Sequence, residues 1–318
     1  MSEHLKHFKA LHSNMAQAIV GKHRTLTLGL ITLMCRGHLL LEDVPGLGKT
    51  MLARALTRSI DLEFRRVQCT PDLMPSDITG VSIFNQQEHR FEFMPGPVFC
   101  NVLLADEINR TSPRTQSSLL ECMAEAQVTT EGVTRTLPEV FMVIATQNPV
   151  EYHGTYPLPE AQLDRFFMRL SMGYPDRDAE IRILQQQFTG HPIDNLKPVI
   201  SIAQLRALQE AVEQVHISEP VLGYIADIVR ASREHPDLEL GASPRGALAL
   251  MKAARAAALI DGLDYVTPDQ VIKVAEPVLA HRLILSQPAR MKKLHETDLV
   301  KAILKQVEPP VLDAAQAL

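Results

Sequence analysis

The feature that most constrains the fold of this 318-residue chain is a glycine-rich segment at residues 46–50, which reads Gly-Leu-Gly-Lys-Thr. The apolar residues 38–41 that precede it predict a buried strand, and the helical spacing of Leu52, Ala55 and Leu56 predicts a helix after it. A phosphate-binding loop requires a strand, a glycine-rich turn and a helix in this order. Glycine lets backbone N–H groups surround the phosphates, and the helix N-terminus adds positive potential. The segment therefore predicts a nucleotide site in an α/β fold.

Within this loop each polar residue has an expected role. Lys49 is expected to contact the β- and γ-phosphates of ATP, and the Thr50 hydroxyl is expected to bind Mg²⁺. Asp43 departs from the full pattern, which has glycine at that place, and Pro45 stiffens the loop in partial compensation. The alternative is a chance occurrence of a short motif in a loop, and the strand and helix on either side disfavour it.

Two further apolar segments end in polar side chains. Residues 102–105 predict a buried strand that delivers Asp106 and Glu107 at its carboxyl end, where ligands bind in such sheets. Asp106 is expected to hold Mg²⁺ through water, and Glu107 to polarise the attacking water as general base. The strand predicted at 140–145 leads to Asn148, which could hydrogen-bond the γ-phosphate or that water. The alternatives are an ordinary helix start for the acidic pair and a simple turn at Asn148.

The pattern along the chain predicts two domains. Residues 1–173 alternate strands with helices, which indicates a parallel sheet covered on both faces. Beyond Pro175 every periodic segment is helical, so residues 174–318 predict an all-helical domain. The predicted strands are at 38–41, 62–67, 102–105, 140–145 and 166–170, and the predicted helices of the second domain are at 176–188, 202–215, 221–231, 244–260 and 268–281.

Composition bears on the partners and the compartment. The net charge of −5 gives no basic field that would draw the chain to nucleic acid or anionic lipid. The N-terminus lacks the apolar stretch of a signal peptide, and the longest apolar run, at residues 28–34, is too short to cross a bilayer. Four scattered cysteines are interpreted as buried thiols in a reducing compartment: Cys35, Cys69, Cys100 and Cys122. We expect a cytoplasmic protein with no membrane segment.

Four segments together resemble the MoxR family of AAA+ ATPases, in its helix-2-insert branch. They are residues 41–50, 70–80, 106–110 and 154–166. The similarity runs from about residue 19 to about residue 260, and it implies an AAA+ nucleotide-binding domain with a parallel sheet, followed by a helical lid. An Asp at the place of the first loop glycine is usual in this family, so Asp43 does not weaken the resemblance.

The resemblance implies further roles in the site. Asn148 matches sensor 1, and Arg165 matches the arginine finger, which acts on ATP held by a neighbouring subunit. Arg245 matches sensor 2 in the lid. Without the family match, Arg165 and Arg245 would be interpreted as surface cations of little consequence. Arg110 and Arg169 are secondary candidates for contacts across subunits.

The resemblance also implies which residues surround the nucleotide. Val20 and Gly21 match the segment that packs on adenine. With the loop, the predicted nucleotide contacts are Val20, Gly21, Pro45, Gly46, Leu47, Gly48, Lys49, Thr50 and Met51. Two insertions, at residues 81–93 and 127–137, are predicted hairpins that would lie in the central pore of a ring.

The function implied is that of a hexameric ring ATPase that acts on protein complexes as a chaperone. The family is associated with von Willebrand factor A domain partners and with enzyme maturation or metal-cofactor insertion. Two alternatives stay open: a nucleic-acid motor and a magnesium chelatase-like subunit. Motors place Lys and Arg on pore hairpins, whereas the hairpin tips at residues 85–90 and 129–135 carry roughly balanced charge.

Overall fold

The fold is built around one parallel sheet. The computed structural model describes residues 3–149, 155–186, 188 and 190–311. The strands are β1 (Leu39–Glu42), β2 (Phe64–Gln68), β3 (Gly80–Asn85), β4 (Arg90–Pro95), β5 (Val102–Asp106), β6 (Gln127–Thr130), β7 (Val133–Thr136), β8 (Met142–Gln147), β9 (Met168–Leu170), β10 (Leu238–Leu240) and β11 (Ile284–Leu285). Five of them form the parallel sheet in the order β2-β5-β8-β1-β9.

Helices account for most of the remaining chain. They are α1 (Glu3–Ala18), α2 (His23–Met34), α3 (Lys49–Ile60), α4 (Pro75–Thr79), α5 (Pro113–Glu125), α6 (Glu160–Leu163), α7 (Arg177–Gln186), α8 (Ile202–Gln214), α9 (Glu219–Glu234), α10 (Pro244–Asp261), α11 (Pro268–Leu279), α12 (Gln287–Met291) and α13 (Glu296–Gln306). In the described part of the chain, none of them combines the length and apolar character needed to cross a bilayer.

Apolar side chains cover both faces of the sheet. Along β1, Leu39 and Leu41 join the core on one face, while Leu40 joins the core on the other, as the two-residue period of a strand requires. The first core includes side chains from α1, α2, α3 and α8–α11, and the second includes side chains from α5. The predicted parallel sheet with helices on both faces is confirmed.

Both predicted hairpins form. β3 pairs antiparallel with β4, and β6 pairs antiparallel with β7. The second turns at Glu131 and Gly132, which have φ of 52° and 77°, the left-handed pair that a two-residue hairpin turn needs. The hairpins also touch, because the guanidinium of Arg135 lies 3.8 Å from the ring centroid of Phe93.

Beyond residue 175 the described elements are helices, as predicted, apart from the short antiparallel pair β10–β11. Serine caps explain two of the helix starts: Ser201 accepts from the backbone N of Gln204 (3.2 Å), and Ser243 accepts from that of Gly246 (3.3 Å). The boundary at residue 173 stays a prediction, and Gly154 of the family motif lies outside the described residues.

Candidate functional site

The glycine-rich loop has the backbone expected of a phosphate cradle. Gly46 and Gly48 both have φ of 86°, a left-handed conformation that glycine adopts without steric cost. Gly48 is the N-cap of α3, so Lys49 and Thr50 stand in the first turn of that helix. A Cβ added at Gly46 would meet nothing within 4 Å, which leaves space beside the helix N-terminus. This arrangement suits a phosphate chain.

Lys49 is already directed into the loop. Its Nζ donates to the backbone carbonyl of Asp43 (2.7 Å), and the residue is 9% exposed. Burial lowers the pKa of Lys49, while the carboxylates of Asp43, Asp106 and Glu107 act in the opposite direction. The lysine therefore sits among three carboxylates at one edge of the sheet, where a ligand with negative charge would find a cation.

Asp43 has a structural role that the loop pattern does not show. Its carboxylate accepts hydrogen bonds from Ser171 Oγ (2.7 Å), the backbone N of Met172 (2.5 Å) and that of Gly173 (3.2 Å). Asp43 is 6% exposed. Its side chain thus ties the phosphate loop to the segment that leaves β9, instead of facing the phosphate space.

We expect Asp43→Gly to lower the free energy of unfolding by about 2–3 kcal/mol, because it leaves donors at residues 171–173 without their charged acceptor. Urea titration followed by circular dichroism measures this change. The exposed hairpin residue Glu88 provides the control, since Glu88→Gly should cost under about 1 kcal/mol. An Asp43→Gly variant as stable as the unchanged chain would show that the tie contributes little.

The predicted acidic pair stands at the end of β5, and each carboxylate is paired within the chain. Asp106 Oδ2 lies 2.6 Å from Arg66 Nη2, and Asp106 Oδ1 accepts from the hydroxyl of Thr146 (2.6 Å). The same hydroxyl accepts from the backbone N of Glu107 (2.8 Å). Thr146 is fully buried in the neighbouring strand β8, so it fixes the orientation of both acidic residues.

Glu107 is held by two further side chains. Its Oε2 accepts from Gln68 Nε2 (2.9 Å) and lies 2.9 Å from Arg110 Nη1. Glu107 has φ of 58°, a left-handed backbone conformation that is strained for any residue other than glycine. Arg110, a secondary candidate for contacts across subunits, thus forms an ion pair with Glu107 of its own chain.

Asn148 follows β8 directly and is 5% exposed. Since β8 lies between β5 and β1 in the sheet, Asn148 is at the edge shared by the acidic pair and the phosphate loop. In the described residues there is no group of three or more His, Cys, Asp or Glu side chains that could hold a metal. The groups at this edge that could hold Mg²⁺ are Thr50 and Asp106, and together with phosphate oxygens they form a donor set that this ion accepts.

A cavity of about 240 Å³ adjoins the loop. Its lining includes the predicted contacts Val20, Gly46, Leu47, Gly48 and Met51. Gly21 lies beside it with φ of 74°, and a Cβ there would come within 3.0 Å of Ala179 on α7. Apolar side chains next to a phosphate cradle can accommodate a flat base.

Arg165 and Arg245 are far from this cavity. They line a separate cleft of about 360 Å³ with His38 and Phe167. The backbone N of Phe167 donates to the carbonyl of His38 (2.8 Å) at the start of β1, whereas the phosphate loop follows the end of β1. At about 3.3 Å per residue, the four residues of β1 alone separate the two edges by about 13 Å. The two arginines thus line a cleft at the edge of the sheet opposite the nucleotide site of their own chain.

Among the described residues, no hydrogen bond or ion pair involves the guanidinium of Arg165 or Arg245. Arg169, the other secondary candidate, differs: it lies 3.1 Å from Glu42 and 3.7 Å from Glu296. The structure therefore brings together Lys49, Thr50, Asp106, Glu107 and Asn148 at one edge of the sheet, and places Arg165 and Arg245 together at the other.

Two family models match the chain. One, described as the ATPase family associated with various cellular activities (AAA), matches residues 38–168. The other, described as an AAA lid domain, matches residues 230–303. The first match spans strands β1–β8 with the phosphate loop and the acidic pair, and the second spans the helix that carries Arg245.

Individual proteins are similar over nearly the whole chain. The uncharacterised protein YeaC of Bacillus subtilis is 50% identical over 299 residues, covering 94% of this chain and 93% of the relative. The chaperone MoxR1 of Mycobacterium tuberculosis is 39% identical over 305 residues, covering 93% and 80%. Protein MoxR of Methylorubrum extorquens is 32% identical over 324 residues, covering 93% of each. A crystal structure of a proposed ATPase from Cytophaga hutchinsonii is 38% identical, with a TM-score of 0.91 and coverage of 97% and 96%.

Proposed function

Because the chain belongs to the MoxR-type AAA+ ATPases, we propose that it is a Mg²⁺-dependent ATP hydrolase that forms a ring and remodels protein complexes. The observation that carries the ring is the separation of the two edges of the sheet. Lys49 lies at one edge, and Arg165 and Arg245 lie at the other. Arginines that stabilise charge on ATP from the second edge would act on ATP held by another copy, and repetition of such a head-to-tail contact forms a ring where the rotation between copies closes.

The edge at the phosphate loop supplies the chemistry. Lys49 would bind the β- and γ-phosphates, and Glu107 would accept a proton from the attacking water. Thr50 and Asp106 would hold Mg²⁺, which when bound neutralises charge on the phosphate oxygens. Asn148 would orient the water or the γ-phosphate.

These groups change partners when ATP arrives. Lys49 would leave the Asp43 carbonyl to reach a phosphate, and Asp106 would hold Mg²⁺ through water in place of its contact with Arg66. The side chain of Arg66 is 48% exposed, so it can leave its partner at little cost.

The hairpins favour a protein substrate over a nucleic acid. At the first tip Arg90 pairs with both Glu88 (2.5 Å) and Glu92 (3.0 Å). In the second hairpin Arg135 covers the Phe93 ring. Both arginines are thus engaged within the hairpins, which leaves little free positive charge to follow a phosphate backbone.

Exposed apolar side chains cluster on the first hairpin. Phe84 is 50% exposed and Phe91 is 71% exposed, and their ring centroids are 5.3 Å apart. Val81, Ile83 and Met94 are also about half exposed, on the opposite face of the hairpin, because side chains alternate between the two faces along each strand. An exposed apolar cluster of this kind is typical of a surface that contacts other proteins.

Stimulation of ATP hydrolysis tests this assignment. We expect neither duplex nor single-stranded DNA to raise the rate of phosphate release at physiological salt, and we expect a reduced, alkylated unfolded protein to raise it. Phe91→Ser should reduce the protein-dependent increment, while Glu121→Ser, on the exposed face of α5, serves as the matched control. Several-fold stimulation by DNA that weakens steeply with added salt would instead support the nucleic-acid motor.

Four more specific proposals about assembly, partner, cellular role and location are supported only by membership of the family. They are a hexameric ring, a partner with a von Willebrand factor A domain, a place in enzyme maturation or metal-cofactor insertion, and a cytoplasmic location. One relative is named as a chaperone, which supports remodelling. The magnesium chelatase-like subunit is the second candidate, because it would use the same ATP site in a ring. A neighbouring gene that encodes a metal-ion-dependent adhesion motif would support the partner.

A further inference from the structure

One buried arginine of the lid binds the chain on both sides of Arg165. The side chain of Arg282 is 2% exposed. Its Nε donates to Asp164 Oδ1 (2.8 Å), its Nη2 to the carbonyl of Phe166 (2.7 Å) and its Nη1 to the carbonyl of Phe167 (3.3 Å). Burial lowers the pKa of Arg282, and the Asp164 carboxylate opposes that effect. Arginine keeps its proton in proteins, so this is a buried cation with a fixed set of acceptors.

The Asp164 carboxylate also accepts a hydrogen bond from Ser243, the N-cap of α10. Ser243 Oγ donates to Asp164 Oδ2 (3.0 Å) while it accepts from the backbone N of Gly246 (3.3 Å). A Cβ at Gly246 would lie 3.1 Å from Cδ of Arg282, so the first turn of α10 packs directly on the arginine stem. Arg245 stands in this turn, between Ser243 and Gly246.

We propose that Arg282 is a positioning residue, which holds Arg165 and Arg245 as one unit against the nucleotide of a neighbouring copy. The inference rests on the proposed function, because only a site shared between copies uses those two arginines. Arg282 is itself too deeply buried to reach the nucleotide. Its effect passes through Asp164, whose two oxygens bind Arg282 and the cap of α10.

A structural role alone makes a different prediction. If Arg282 only docked the lid, its replacement would loosen the whole chain and harm nucleotide binding in the same copy. A positioning role leaves ATP binding intact and slows the chemical step, since displacement of a catalytic group by about 1 Å costs about 100-fold in rate. The separation of ATP affinity from turnover therefore distinguishes the two roles.

Arg282→Lys is the main variant, because lysine retains the charge but lacks the planar fork that binds several acceptors together. We expect turnover to fall about 10- to 100-fold, with the affinity for a fluorescent ATP analogue nearly unchanged. Arg290→Lys is the matched control. Arg290 is also close to this region, but its Nε donates to Leu285 O (3.0 Å) within the lid, so turnover should not change.

Mixing completes the test. Arg282→Lys mixed with Lys49→Ala should recover part of the lost activity, because the Lys49→Ala copies still present well-placed arginines to intact phosphate loops. The mixture of Arg165→Ala with Lys49→Ala is the reference. If the reference recovers and the Arg282→Lys mixture does not, the positioning role is wrong. If copies exchange and neither mixture recovers, the shared site of the proposed function is wrong, and the inference fails with it.

If Arg282→Lys does not fold, Ser243→Ala tests the positioning role instead. It removes only the bond from α10 to Asp164 and leaves the buried arginine in place. We expect turnover to fall about 10-fold, with ATP affinity kept and partial recovery on mixing with Lys49→Ala. Full activity, or a loss that mixing does not repair, would overturn the proposal.

Discussion

Glu107→Gln is expected to lower the rate of ATP hydrolysis by about 10²- to 10⁴-fold while ATP still binds. The amide keeps the shape of the side chain and can still contact Arg110, which lies 2.9 Å from Glu107 Oε2. It cannot accept the proton of the attacking water. Phosphate release measures turnover, and titration with a fluorescent ATP analogue measures binding. Glu121→Gln on the exposed face of α5 is the matched control.

Unlike Glu107→Gln, Lys49→Ala is expected to weaken ATP binding, because it removes the cation that contacts the phosphates. Both ATP affinity and turnover should fall. The comparison separates binding from chemistry at two positions of one site. Loss of ATP binding in Glu107→Gln would show that Glu107 acts mainly in binding and is not chiefly the catalytic base.

Arg165→Ala is expected to bind ATP nearly normally and to hydrolyse it about 10³- to 10⁵-fold more slowly, the contribution that such arginines make in other nucleotide hydrolases. Charge develops on the γ-phosphate oxygens during transfer, and a guanidinium placed there stabilises it. Arg177→Ala is the control, since the side chain of Arg177 is 87% exposed on α7. Its turnover should remain unchanged.

Mixing Arg165→Ala with Lys49→Ala should restore part of the activity, although each variant is inactive alone. At a mixed boundary, an intact Arg165 from the Lys49→Ala copy meets the intact loop of its neighbour. An arginine that acted within its own chain would give no recovery. If copies demonstrably exchange and activity stays absent, Arg165 is not the residue that acts between copies, and Arg169 should be tested next.

The fold class and the central site could be predicted because their signals are local. Continuous apolar runs mark buried strands, and the polar residues that follow each run mark the carboxyl edge of the sheet. The boundaries shifted by one to a few residues: the strand predicted at 62–67 is Phe64–Gln68, and that predicted at 166–170 is Met168–Leu170. Helix α1 was missed, although Leu5, Phe8, Leu11 and Met15 recur at helical spacing and are buried.

The side chains that hold the site in place could not be predicted, because their partners are distant in sequence. Asp43 binds residues 171–173, Arg66 binds Asp106, and Thr146 binds the backbone of Glu107. Such pairs depend on which strands adjoin and in which register, and neither is encoded in a short motif. A signal was available for Arg282, because Arg282 and the neighbouring His281 are the two polar residues in the otherwise apolar segment 278–285.

The placement of the loop and the two arginines on opposite edges has a consequence for stoichiometry. If each working site draws Lys49 from one copy and Arg165 from the next, a single copy contains two half-sites and no complete one. An open row of copies always leaves one half-site unmatched at each end, whereas a closed ring leaves none. Activity per chain should therefore rise with protein concentration and level off when rings close. A variant in which one of the two edges cannot bind the next copy should stop assembly at that point and prevent ring closure.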